Sequence, residues 1–146
     1  MALSTEAVGK IWPAATYEVG REKIREYAQV LGFDSPVYFD ADAARAEGFR
    51  DVVAPPMFCV VYSAGAMGPA IFDPEVAMNF ATMVHGSQEF EWRAPVCSGD
   101  LITTTASCLS IEERDGKGFY VFETVSVNQD GDLTVRGVWT NIVRGV

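Results

Sequence analysis

"APPMFCVVYSAGAMG", residues 54–68, decides how the rest of the chain is read. None of these residues is charged, and the charge-free run extends from Val52 to Phe72. The paired prolines suit the first turn of a helix, where backbone N–H groups have no intrahelical partner. With no polar face, such a helix is expected to be buried on all sides. The run is long enough to cross a bilayer, but Pro55, Pro56 and Pro69 interrupt it along with Gly65 and Gly68, which favours a core helix over a membrane span. A helix of this kind needs something wrapped around it.

The wrapping is legible downstream. From His85 the apolar period becomes two: "QEFEWRAPV" sets Phe90 and Trp92 against Glu89, Glu91 and Arg93, and "LITTTASCLSI", "FYVFETVSV" and "TVRGVWTNIV" are rich in β-branched and aromatic residues. Asp115-Gly116 and Asp130-Gly131 mark the reversals of an antiparallel meander. Upstream, after a short extended segment, "YEVGREKIREYAQVLG" places Ile24, Tyr27, Ala28 and Leu31 on one helical face, with Gly32 at the C-cap. "DADAARAEGF" predicts a brief helix capped by Asp40 or Asp42 and ended by Gly48. A single α+β domain over residues 1–146 follows, in which a curved antiparallel sheet wraps a long apolar helix. That is the hot-dog arrangement, and its free edge strand invites a second chain.

Composition excludes several functions. The 146 residues are 49% hydrophobic, enough for one core. A net charge of −9, from 11 basic and 20 acidic residues, repels nucleic acid. Arg21, Lys23 and Arg25 read as a solvated helix face. Cys59, Cys97 and Cys108 match neither a disulfide framework nor a C-x-x-C metal site and are expected as buried free thiols. The single histidine, His85, excludes a multi-histidine metal site within one chain. No metal or cofactor is expected. The N-terminal segment lacks a secretory h-region, so a soluble, cytoplasmic protein is expected.

Four segments in order carry a resemblance to a known family: "YEVGREKIREYA", "SPVYFDADAARAEGF", "VVAPPMF" and "VHGSQEFEWRAPVCSGD". Together they resemble the MaoC-like (R)-specific hydratases and dehydratases of acyl thioesters, in their FAS1-like dehydratase branch. In that family a D-x-N-P-x-H loop supplies a general acid and base. Aligning its proline with Pro36 puts Ser35 at the asparagine, Phe33 at the aspartate and Tyr38 at the histidine, so both catalytic positions are replaced. Active members also read A-H-G-M at the start of the central helix, where the glycine N–H binds the thioester oxygen. Here the letters are Ala54-Pro55-Pro56-Met57, and Pro56 has no N–H to give. The branch contains heterodimeric (3R)-hydroxyacyl-ACP dehydratases in which one subunit lacks the pair and helps to hold the acyl chain, and this sequence is similar to that subunit.

The expected role is therefore an accessory subunit that binds an acyl thioester of CoA or acyl carrier protein, either as a homodimer or beside a catalytic hot-dog chain. The alternatives are a self-sufficient homodimeric hydratase using relocated groups and a module that binds a hydrophobic ligand without turnover. Asp34, Tyr38 and His85 are the candidates for relocated chemistry. A phenol is a poor base near neutral pH, and Asp34 and Asp40 suit turn and cap positions. Phe33, Tyr38, Pro56, Met57, Phe58, Tyr62, His85 and Gly99 are the candidate substrate-binding residues, although sequence does not separate core from acyl-tunnel wall for Met57, Phe58, Val61 and Tyr62.

Overall fold

In the computed structural model, which describes residues 3–146, the apolar run opens with a 3-10 turn over Pro56–Phe58 and continues as a helix over Cys59–Ile71. Two shorter helices precede it, α1 (Arg21–Val30) and α2 (Ala41–Ala46), so the long one is α3. Five strands, β1 (Ala15–Glu18), β2 (Met83–Trp92), β3 (Leu101–Arg114), β4 (Lys117–Val127) and β5 (Leu133–Arg144), form one sheet in the order β1-β3-β4-β5-β2. Every neighbouring pair is antiparallel. The alternation read in the sequence sets the faces: Ile102, Thr104, Ala106 and Cys108 of β3 are buried, as are Tyr120, Phe122, Thr124 and Ser126 of β4. The β3–β4 hairpin closes through Asp115 and Gly116, both at positive φ, which is the mirror-image turn that matches strand twist.

The expectation that α3 is buried on all sides is corrected. Cys59, Tyr62, Ser63, Ala66, Met67 and Ala70 are buried, but Ala64, Gly65 and Pro69 are exposed. The physical reason is topological: the helix packs against β1, β3 and β4, and a single curved sheet covers only one side of a cylinder. Pro69 sits within the last turn and faces solvent, so α3 runs through it to Ile71. Beyond that end, Asp73 accepts from Lys10 Nζ at 2.8 Å, Trp12 Nε1 at 2.7 Å and the Glu75 N–H at 2.8 Å. These donors, Lys10 first, pull its carboxyl down to about 2 and tie the N-terminal segment to the core.

In α1, Ile24 and Ala28 are buried and Tyr27 packs its ring edge-on to Phe58, at 5.4 Å between centroids. Leu31, expected on the same face, is half exposed because the helix has already ended there. The end is a Schellman closure. Phe33 N–H donates to Ala28 and Gly32 N–H to Gln29, with Gly32 at φ +73°. Asp40, rather than Asp42, caps α2, accepting from the N–H groups of Asp42 and Ala43. The three cysteines are buried and free. Arg21, Lys23 and Arg25 are exposed, with Arg21 paired to Asp51 and Arg25 to Glu22.

One stability prediction follows from the α1 terminus. A methyl at Gly32 would meet nothing within 4 Å, so Gly32→Ala tests backbone conformation alone. It should lower stability by about 1–2 kcal/mol, the cost of the left-handed region for an L-residue, read as a fall in the urea midpoint at unchanged slope.

Candidate functional site

A cavity of about 290 Å³ opens where α3 begins. Its exposed rim comprises Pro56, Trp92, Arg93 and Pro95, and its depth is formed by buried Val53, Ala54, Cys59, Tyr62, Val96 and Thr134. Backbone hydrogen bonds hold together the chain segments that build it. Val53 N–H donates to Val37, fastening the loop that carries Tyr38, while Ala54 N–H donates to Val96 and Ser98 N–H to Val52. At the rim the Trp92 indole N–H donates to the Pro56 carbonyl at 2.8 Å, pinning the end of β2 to the start of α3.

Electrostatically the cavity is quiet. Burial pushes the Cys59 thiol up to about 11 and carries the Tyr62 phenol well above its ordinary range, so both keep their protons at neutral pH. The Tyr62 hydroxyl donates to Thr134 Oγ1 at 3.5 Å, and Thr134 donates onward to the Ser126 carbonyl at 3.1 Å. Arg93 is the one charged residue of the lining, and it pairs outward with Glu91. The described residues contain no cluster of three or more histidine, cysteine or acidic side chains able to hold a metal.

The structure brings together some of the residues singled out from the sequence and separates others. Tyr38, Pro56 and Tyr62 line the cavity. Phe33 stands beside it through Tyr38, the two rings 5.7 Å apart. Phe58 is fully buried in the core behind it, against Tyr17, Tyr27 and Tyr62. Met57 is 43% exposed, outside the core and outside this lining. Asp34 is exposed and outside the lining. Gly99, at φ +92°, shapes the turn before β3. His85 lies on β2 opposite Asn141 with its ring edge-on to Trp139; seven residues separate it from Trp92, roughly 23 Å along the strand.

Sequence reading missed Trp92, Cys59 and Thr134 as cavity residues. Thr134 carried no periodic signal: the alternating buried positions of β5 are Val135, Gly137, Asn141 and Val143, and Thr134 is buried out of step with them, where the β4–β5 register shifts. The Asp100 side chain was also missed. It is fully buried and accepts from Arg50 at 2.5 and 2.8 Å, from Gln129 at 3.0 Å and from the Cys97 N–H at 2.9 Å. Burial alone would raise its carboxyl, but Arg50, the Cys97 N–H and Gln129 outweigh it and hold the group below the usual carboxylate range.

A curved five-stranded antiparallel sheet on a central helix, with an apolar cavity at the start of that helix, defines a hot-dog domain of the MaoC-like dehydratase type. A family model described as "FAS1-like, dehydratase domain region" matches residues 6–136, and the chain belongs to that family. UPF0336 proteins of Streptomyces coelicolor and Clavibacter michiganensis are 39% identical over 144 residues and 38% over 146. The alignments cover 98% and 99% of this chain, and 95% and 98% of those proteins. Among solved structures, the HadBC (3R-hydroxyacyl-ACP dehydratase) complex from Mycobacterium tuberculosis matches with a TM-score of 0.82 at 29% identity, over 96% of this chain and 99% of that one. A MaoC-like dehydratase matches at 0.83 and 27% identity, over 96% of this chain and 43% of that one. The R-hydratase PhaJ1 from Pseudomonas aeruginosa, 19% identical with a TM-score of 0.74, shares the fold. No described helix is long and apolar enough to cross a membrane.

Proposed function

We propose that this chain binds an acyl group carried as a thioester on CoA or acyl carrier protein and completes a dehydratase together with a second hot-dog chain that carries the Asp/His pair. The observation that carries the reading is the cavity lining, which among the described residues contains no carboxylate and no imidazole. Acid–base chemistry needs a group that exchanges a proton near the operating pH. Here Cys59 and Tyr62 are held protonated by burial, and the start of α3 offers an imide nitrogen at Pro56 in place of an N–H. The likeness to a HadBC chain, which comes from a two-chain complex by name, supports the assignment of a partner. A cytoplasmic setting belongs to the same proposal.

The test is turnover. Purified alone, the chain should leave a crotonyl thioester unhydrated, and Tyr38→Phe and Asp34→Asn should change nothing. Mixed with a hot-dog chain bearing D-x-N-P-x-H, it should support hydration beyond that of either chain alone. Hydration by the pure chain at ordinary enzymatic rates overturns the proposal. Thioester binding without turnover under both conditions replaces it with a binding module.

A further inference from the structure

Eleven lysines and arginines stand against twenty acids in this chain, so a cation has carboxylates to pair with. Among the described residues eight of the eleven form ion pairs, and three, Arg114, Lys117 and Arg144, form none. These three are neighbours. Arg114 at the end of β3 lies opposite Lys117 at the start of β4, and Lys117 lies opposite Arg144 on β5. All three are exposed on the outer face of the sheet, while the adjacent Gly118 and Val143 are buried toward the core. Like charges directly opposite one another across a ladder are destabilising. Nor does the row blunt a sheet edge, because β4 is an inner strand.

A second row runs beside the first, two residues along the strands. Phe119, Ile142 and Val84 lie opposite one another on β4, β5 and β2, and Val84 is 43% exposed. Arg114 joins the two rows, its guanidinium carbon 4.0 Å from the centroid of the Phe119 ring. A line of cations beside a line of apolar side chains is the complement of an amphipathic helix with one acidic stripe. Adjacent strands are about 4.8 Å apart, and acids at i and i+4 recur about every 6 Å along a helix axis. A helix of about 10–12 Å diameter covers both rows. Other anionic partners fit less well. Anionic membranes take clusters of about four to eight cations and duplex DNA about six to ten phosphate contacts, and a net charge of −9 opposes either at long range. The acids of α1 do not suit a second copy of this chain, since Glu22 and Glu26 are paired with Arg25 and Lys23.

We infer that the outer face at this end of β3, β4 and β5 docks an acidic amphipathic helix of a partner protein. Its carboxylates meet Arg114, Lys117 and Arg144, and its apolar stripe meets Phe119, Ile142 and Val84. The surface goes beyond the acyl-thioester reading and stands apart from the cavity: Thr134 and Arg144 are at opposite ends of β5, roughly 33 Å along the strand.

The test is fluorescence anisotropy of a labelled synthetic helix, with glutamates at every fourth position and leucines on the adjoining stripe, titrated with the full chain. The peptide should bind, and more weakly as salt rises from about 0.1 to about 1 M and the screening length falls from about 10 to about 3 Å. Arg144→Gln should weaken binding about two- to fivefold, and neutralising all three cations about ten- to hundredfold, the range for exposed ion pairs. Lys117→Glu separates docking from folding. It sets a carboxylate between Arg114 and Arg144, so the urea midpoint should rise while peptide binding is lost. Binding that ignores Lys117→Glu overturns the docking site, as does equal binding of a peptide with lysines in place of the glutamates, or no binding at all. Tighter binding to vesicles of phosphatidylserine and phosphatidylcholine, or to a short DNA duplex, than to the peptide overturns the acidic helix as the occupant.

Discussion

Arg50→Ala should destabilise the fold by about 3 kcal/mol, toward the lower end of what breaking a buried ion pair costs, because the Arg50 side chain is half exposed while Asp100 is wholly buried. Without the guanidinium, Asp100 keeps only the Cys97 N–H and the Gln129 amide, and the burial that now works against its ionisation becomes the dominant influence. The pair also holds the cavity: it joins the segment before Val53 and Ala54 to the turn after Val96, and these are cavity residues. The pH dependence gives the sharper signature. In the unmodified protein the folded Asp100 carboxyl lies below its unfolded value, so its contribution is present above the unfolded pKa and is lost as pH falls through the folded one. In the variant the folded carboxyl should lie above the unfolded value, which makes ionisation destabilising. The stability difference between the two proteins should therefore widen as pH rises from about 4 to about 7. Urea midpoints across that range measure it, and parallel curves would exclude the inversion.

What could be read in the sequence and what could not divide along the range of the interactions involved. The meander was legible because alternation is local: the buried residues follow one another at every second position along β4 and along β3 from Ile102 to Cys108, where a bulge shifts the register. The glycine stop of α1 and the Asp40 cap were legible because each acts within one turn of helix. The Arg50–Asp100 pair joins residues 50 apart, and nothing in "VCSGD" distinguishes an aspartate that shapes a turn from one sealed under a guanidinium. The exposed face of α3 was misread for a related reason. Apolar composition reports that a surface avoids water, without saying whether the same chain provides the cover. Trp92 alternates as expected, but its indole bond to Pro56 depends on how far the sheet curls. His85 stands in a family-like motif, yet the strand carries it away from the cavity toward Trp139.

Rebuilding the loop gives the largest expected change in activity. Phe33 and Tyr38 face each other with ring centroids 5.7 Å apart, and Tyr38 borders the cavity. Phe33→Asp combined with Tyr38→His would set a carboxylate and an imidazole at a separation that one water can bridge, beside the space proposed for the thioester. Both side chains are at least partly exposed, so the pair should cost little stability, within about 1 kcal/mol. Hydration of a crotonyl pantetheine thioester should then rise by roughly 10²–10⁴ over the unmodified chain, the range for a positioned acid–base group. Adding Pro56→Gly returns an N–H at the start of α3 and should contribute on the order of 10²–10³ more, provided the Trp92 contact to the residue 56 carbonyl persists. The gains are expected to multiply, because one set of groups moves protons and the other stabilises charge on the thioester oxygen. A double variant that folds and binds the thioester yet hydrates it no faster than its parent would show that the loop no longer holds the geometry its aromatic pair suggests. Activity without Pro56→Gly but none gained with it would show instead that the missing N–H is not what silences the helix terminus.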